Sequence, residues 1–265
     1  HDQVSMLDLE DAKEKVMLGP ERRARVMPAD ERERTAYHEC GHAIVAASIE
    51  GYDPVHKVTI SPRGQALGLT FTLPDEDRYQ ITRSDAEERI AVFLGGRAAE
   101  ALTYPEVGAG AADDIRKASA YARRMVTAWG MSDRLGPIYF ADDDAPVFMG
   151  RDLQTRPKYS AKTAIAIDEE VHSIISEAYE RAKTILEDKS TILETMARTL
   201  LERETLDGED VKLIMEGGEL APLGEAPEPQ RASINLDDED AEAEGARDDD
   251  GTDKLGGDDP SPQPN

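Results

Sequence analysis

The sequence predicts a mainly α-helical fold with one small antiparallel β-hairpin or sheet. Apolar residues recur at helical spacing in most stretches, as in Ile90, Ala91, Leu94 and Ala98, and again in Ile167, Val171, Ile174, Ala178 and Ala182. Period-two alternation is confined to the segment between Val55 and Leu73. Capping signals stand ahead of the helical runs: Asp30 with Glu33, and Ser84 with Glu87.

The elements follow in chain order. His1 to Gly19 holds a short helix-like piece stopped by Gly19-Pro20, and Glu21 to Pro28 is a polar connector. This opening reads as a linker cut from a longer protein. A helix is expected from about Asp30 to Glu50, with Asp30 as N-cap and Gly51 as its end. Its second half, Ile44 to Ile49, is apolar on most sides and should be buried. Gly41 in its interior costs about 1 kcal/mol against alanine, which close approach of another backbone would explain. Val58 and Ile60, then Leu67, Leu69, Phe71 and Leu73, alternate around the turn residues Ser61 to Gly64 and read as a sheet with one buried face. It caps the core, or it leaves an edge on which an extended peptide can add as a strand.

The next helix opens at Ser84, and Gly95-Gly96 inside it marks a tight helix contact or a kink. Gly108 to Ala112 leads into Asp113-Asp114 and a helix whose apolar face is Ile115, Ala118, Ala122, Met125, Val126 and Trp129. Paired aspartates at such a start commonly cap the helix and complement its dipole. Leu135 to Pro157 is loop-rich. A long amphipathic helix from about Ser160, a second through Ile192 to Leu201 and a short third from about Asp207 to Met215 form a C-terminal helical bundle.

Charge divides the chain. Of the net −25, −12 falls in residues 217–265, which hold 15 acidic and 3 basic residues and few apolar ones; this end reads as a disordered acidic tail. The remainder, at −13, has no basic stripe to bind nucleic acid. No apolar run approaches the ~20 residues that span a bilayer, which predicts a soluble fragment without direct membrane contact. The single cysteine, Cys40, rules out an internal disulfide framework.

The chemistry concentrates in His38-Glu39-Cys40-Gly41-His42. Two imidazoles four residues apart share one helix face, and the glutamate between them reaches a water held beside a metal; this is the geometry of a zinc hydrolase, a zincin-like active-site helix. A catalytic zinc takes three protein ligands. His56, Glu100, Asp113, Asp114 and His172 are candidates for the third, while Cys40 points away from the histidine face and His172 reads as a surface or interface histidine. Spacing alone leaves Glu100 and the aspartate pair as rivals.

Further motifs surround this one. Thr35-Ala36-Tyr37 precedes it, and Gly95-Gly96-Arg97-Ala98-Ala99-Glu100, Gly110-Ala111-Ala112-Asp113-Asp114-Ile115, Trp129-Gly130-Met131-Ser132 and Leu135-Gly136-Pro137 follow. With Phe148 to Arg151, Ile167 to Val171 and Glu204-Thr205-Leu206, the run resembles the protease domain of the FtsH family, membrane-anchored ATP-dependent AAA+ zinc proteases, over about Val4 to Met215. The resemblance implies that Asp114 is the third zinc ligand beside His38 and His42, although the family usually has Asn where Asp113 stands. Alanine is usual at Cys40. Glu100 then becomes a residue that orients a ligand, or simply an ion-pair partner of Arg97.

On this basis zinc-assisted peptide hydrolysis is expected, with Glu39 as general base. The resemblance also implies a homo-hexamer beneath an ATPase ring, fed with unfolded or membrane-extracted chains, in a parent held in the bacterial inner membrane with this part on the cytoplasmic side. No Gly-x-x-x-x-Gly-Lys-Ser/Thr phosphate loop occurs, so ATP would act only through a missing ATPase module. The expected division is a linker over 1–28, a metalloprotease domain over 29–216 and the tail over 217–265. A motor-independent peptidase of small peptides, and an oligomerisation module without catalytic activity, are the alternatives.

Overall fold

Seen in a computed structural model, the chain is described over residues 27–62, 67–74, 80–141 and 159–221, with Leu9, Ala12, Lys15 and Val16. The N-terminal piece, the turn at Arg63-Gly64, the 142–158 segment with its Phe148 motif and nearly all of the acidic tail lie outside the described residues. The elements below all belong to one unit within Asp11–Pro227.

Helix α1 (Ala29–Ser48) carries the histidine motif. Asp30 does not cap it: Pro28 is the N-cap and makes no side-chain cap bond, which leaves Asp30 in the first turn facing the positive end of the dipole. The helix stops where Ile49 turns extended and Gly51 adopts φ +77°. Strand β1 (Val55–Thr59) pairs antiparallel with β2 (Leu69–Thr72), with Val58 opposite Thr70. Every residue of β2 is half-buried, so the predicted one-sided burial of Leu69 and Phe71 does not occur; β2 lies at the sheet's end, covered on neither face completely.

Helix α2 (Arg83–Thr103) starts two residues before the predicted box, on Thr82 and Asp85: the Thr82 hydroxyl accepts from the Asp85 N–H, and the Asp85 carboxylate accepts from the Thr82 N–H. Helix α3 (Ala112–Thr127) buries Ala118, Ala122, Met125 and Val126, whereas Ile115 is exposed, one turn from the helix start and beyond the reach of its neighbours. Helix α4 (Ala161–Asp188) is capped by Ser160, and α5 (Ser190–Arg203) follows after Lys189. Three residues, Thr205–Asp207, then form β3 on the free side of β1, giving the order β2-β1-β3, before α6 (Gly208–Met215) begins on an Asp207–Asp210 capping box. At three residues β3 is too short for alternation to reveal.

One apolar core unites these elements. α1 packs on α2 and α5, and α2 is backed by α3 and α4, with Ile44, Ile90, Met125, Ile167, Leu186, Met196 and Leu200 fully buried. The α1–α2 contact runs backbone to backbone. A Cβ on Gly41 would lie 2.5 Å from the Gly95 carbonyl oxygen, and one on Gly95 would lie 2.7 Å from that of Gly41. Both expected reasons for interior glycines thus resolve into one backbone-to-backbone contact.

Candidate metal centre

The α1–α2 contact brings both histidine rings over α2. His42 Nδ1 lies 2.7 Å from the Val92 carbonyl oxygen; a carbonyl only accepts, so Nδ1 carries the proton and Nε2 holds the lone pair. His38 Nδ1 lies 2.8 Å from Glu100 Oε1, a carboxylate oxygen that accepts its N–H, so this ring too is held through Nδ1 and turns Nε2 towards His42 and Asp114. Val92, Gly96 and Glu100 form a column on α2 at four-residue spacing, one face of the helix offering an acceptor, a gap and an acceptor. The gap is essential. A Cβ on Gly96 would sit 2.6 Å from His38 Cε1 and 2.6 Å from His42 Nε2.

The two Nε2 atoms meet at 3.1 Å, and Asp114 Oδ2 from the start of α3 closes the group at 3.1 Å from His38 Nε2 and 3.5 Å from His42 Nε2. Tetrahedral zinc with bonds of 2.0–2.1 Å separates its ligand atoms by about 3.3–3.4 Å. The donor set therefore suits such an ion in type and spacing: two imidazole nitrogens oriented through their far sides, and one carboxylate. Among the described residues this is the one group of three or more His, Cys, Asp or Glu side chains within metal-binding reach.

Electrostatics follow from the crowding. Burial resists charge on His38, but its hydrogen bonds to Asp114 and Glu100 outweigh that and push its pKa up to about 10 in the metal-free protein. Burial raises the Asp114 carboxyl, yet its hydrogen bond with His38 and the closeness of both imidazoles hold it far below the usual range. Glu100 is held down against burial by His38, the Gly108 N–H and Arg34.

Glu39 is buried on the neighbouring side of α1, against β2. The Thr70 hydroxyl lies 2.8 Å from Glu39 Oε2 and 2.9 Å from the Glu39 carbonyl oxygen, so it donates to one residue's two acceptors. Gly68, just before β2, leaves room for the carboxylate: a Cβ there would be 2.8 Å from Glu39 Oε1. Neither Thr70 nor Gly68 was a candidate from sequence; an inward-facing threonine in an alternating strand is a weak signal.

The other candidates stand elsewhere. Asp113 is exposed and pairs with Arg116 and, at 2.7 Å, with Lys117. His56 sits on β1 with its ring against Phe71, and His172 is exposed on α4. Cys40 is wholly buried in the core, packing as a small apolar residue. Glu100 finds its cation in Arg34 at 3.3 Å, not in Arg97.

A helix-borne histidine pair, a carboxylate from a second helix and a glutamate beside them define a zinc-peptidase type of site. The chain belongs to peptidase family M41, whose family model matches residues 25–214. Curated relatives agree. It is 49% identical over 214 residues to the ATP-dependent zinc metalloprotease FtsH of Magnetococcus marinus, covering 81% of this chain and 32% of the relative. Identity to FtsH 4 of Sorangium cellulosum is 50% over 235 residues, covering 88% and 35%, and to FtsH of Myxococcus xanthus 45% over 229 residues, covering 86% and 36%. The chain thus spans about a third of the length of the curated relatives it matches.

Proposed function

We propose that residues 29–216 form the endopeptidase domain of an ATP-dependent zinc protease, cutting unfolded polypeptides at a zinc ion held by His38, His42 and Asp114. The observation that carries this is the convergence of three ligand atoms, both histidines already oriented, beside the Glu39 carboxylate. Bound there, zinc supplies an electrophile that polarises the scissile carbonyl and acidifies water.

The chain's own residues do the rest. Glu39 accepts the proton of the attacking water and later delivers it to the leaving amine. Thr70 occupies Glu39 Oε2, which leaves Oε1 for that proton. The outer edge of β2 pairs with no strand among the described residues, so it can take an extended peptide through main-chain hydrogen bonds. Such pairing ignores side-chain identity, which suits unfolded or membrane-extracted substrates.

ATP enters through residues outside this chain, consistent with relatives named as ATP-dependent and about two and a half times as long. In this reading residues 1–28 link to that ATPase, residues 217–265 are an acidic tail, and the parent is a homo-hexamer anchored in the bacterial inner membrane with this domain on the cytoplasmic side. Among the described residues, no helix is long and apolar enough to cross a membrane. Flexible peptides should therefore be cut without ATP.

Glu39→Gln tests the assignment: one zinc per chain is retained while cleavage of a permanently unfolded protein falls by a factor of about 100–10,000. Undiminished cleavage overturns the role of Glu39. Absence of both zinc and cleavage in the unmodified chain favours a silent oligomerisation module, whose best support is the long pair α4 and α5.

A further inference from the structure

We infer that Arg34 is a positioning residue of the metal centre, acting through Glu100 on His38 and clamping the segment that leads to Asp114. The inference rests on the zinc reading above. Arg34 stands one helical turn before His38 on α1 and points the same way. Its Nη1 donates to Glu100 Oε2 at 3.3 Å and to the Glu106 carbonyl oxygen at 3.0 Å. Glu100, 1% exposed, gives its other oxygen to His38 Nδ1, while Oε2 also accepts the Gly108 N–H at 3.2 Å.

Each partner limits what the others can do. A carboxylate almost without water is costly unless its lone pairs are filled, and Arg34 supplies the formal charge that balances it. With Oε2 so occupied, Oε1 is fixed for the His38 N–H, and the ring presents Nε2 towards Asp114. The same guanidinium holds the chain at Glu106, eight residues before Asp114, beside the Gly108 amide bound to Glu100. Stacking completes the seat: the Arg34 Cζ lies 4.2 Å from the centre of the Tyr104 ring, which meets Tyr37 edge-on at 5.9 Å. One side chain therefore braces a ligand on α1 and the approach of a ligand on α3. At 35% exposure it is accessible to substitution without opening the core.

The test is a double-mutant cycle on the 265-residue chain, reading the zinc dissociation constant by chelator competition. Loss of a group that orients a metal ligand weakens affinity by about 10–100-fold; Glu100→Gln should fall in that range and Arg34→Met near its lower end, about tenfold. Because Arg34 works through Glu100, adding Arg34→Met to Glu100→Gln should change affinity by less than about twofold. The cobalt(II)-loaded Arg34→Met protein should also show shifted ligand-field bands, a change that lower fold stability alone does not produce. An Arg34→Met constant within about twofold of the unmodified chain, or a full tenfold loss repeated in the Glu100→Gln background, overturns the inference. If the methionine variant does not fold, Arg34→Gln takes its place under the same two criteria, since it removes the charge that balances Glu100 and the Nη1 donor to Glu106 while staying polar at a part-exposed position. Failure of the unmodified chain to bind zinc would bring down the parent reading and this inference with it; zinc binding insensitive to Arg34 brings down the inference alone.

Discussion

Gly96→Ala separates a built metal cradle from an incidental glycine, because the two predict opposite signs. In an unconstrained helix interior, replacing glycine by alanine stabilises by about 1 kcal/mol. Here the new Cβ would lie 2.6 Å from atoms of both rings and 2.7 Å from His38 Nδ1. Relief to an ordinary contact of about 3.5 Å demands a shift of nearly 1 Å. Neither ring can withdraw freely, since His42 is tied to Val92 and His38 to Glu100, both on the helix that bears the new methyl. Overpacking of this kind costs about 1–3 kcal/mol, so the metal-free variant should be less stable by up to about 2 kcal/mol once the helix gain is subtracted. For a domain of this size that is a fall of up to about 8 °C in Tm. Ligand atoms misplaced by more than about 0.5 Å no longer form a working site, so zinc affinity should drop on the order of 100-fold and peptidase activity with it. Calorimetric melting of the metal-free protein and metal content after dialysis read the two effects. A raised Tm with one zinc per chain would refute the cradle.

Three further predictions concern its neighbours. Thr70→Val removes a hydrogen bond to the Glu39 carboxylate, so turnover should fall about 10–100-fold with zinc content unchanged while Thr70→Ser keeps most of it; steady-state kcat on a fluorogenic peptide decides. Asp114→Asn should abolish tight zinc binding, whereas Asp113→Asn, which breaks only surface ion pairs, should leave metal content and activity intact and change stability by less than about 1 kcal/mol; metal analysis of the two variants distinguishes them. Finally, His38 is protonated at neutral pH in the metal-free protein, its pKa being pushed up to about 10, and zinc needs the Nε2 lone pair. Binding at pH 7 should therefore release about one proton, with affinity rising about tenfold per pH unit until the pH approaches that pKa; titration calorimetry in buffers of different ionisation enthalpy measures it, and zero release contradicts it.

The histidine helix was legible because its signal is local: two like residues a turn apart, a glutamate between them and a glycine that needs a reason. Gly41, Gly95 and Gly96 were likewise visible as anomalies: a main-chain contact, which was among the expectations, accounts for Gly41 and Gly95, whereas Gly96 makes room for the two histidine rings. What stayed hidden depends on partners far along the chain. Glu100 was expected either to orient a ligand or to pair with the adjacent Arg97, yet its cation is Arg34, separated by 66 residues but close in space. Thr70 reaches Glu39 only because β2 lies over α1. The caps expected at Asp30 and Ser84 were each two residues late: α1 starts on Pro28 with no side-chain cap, and at α2 Thr82 rather than Ser84 bonds the Asp85 N–H, a choice that only the backbone decides. β3 has too few residues for a period, and it forms because β1 offers it an open side.

The 76-residue separation of His38 and Asp114 along the chain has a consequence in time. Ribosomes add about 5–20 residues per second, so the histidine pair is made about 4–15 s before the third ligand. A nascent chain that has completed only α1 holds two of the three proposed ligands, and Asp114 at the start of α3 brings the last. In the zinc reading, the donor set is complete only once α1, α2 and the start of α3 have all been made, while α4 and α5, which pack behind them, are still to come.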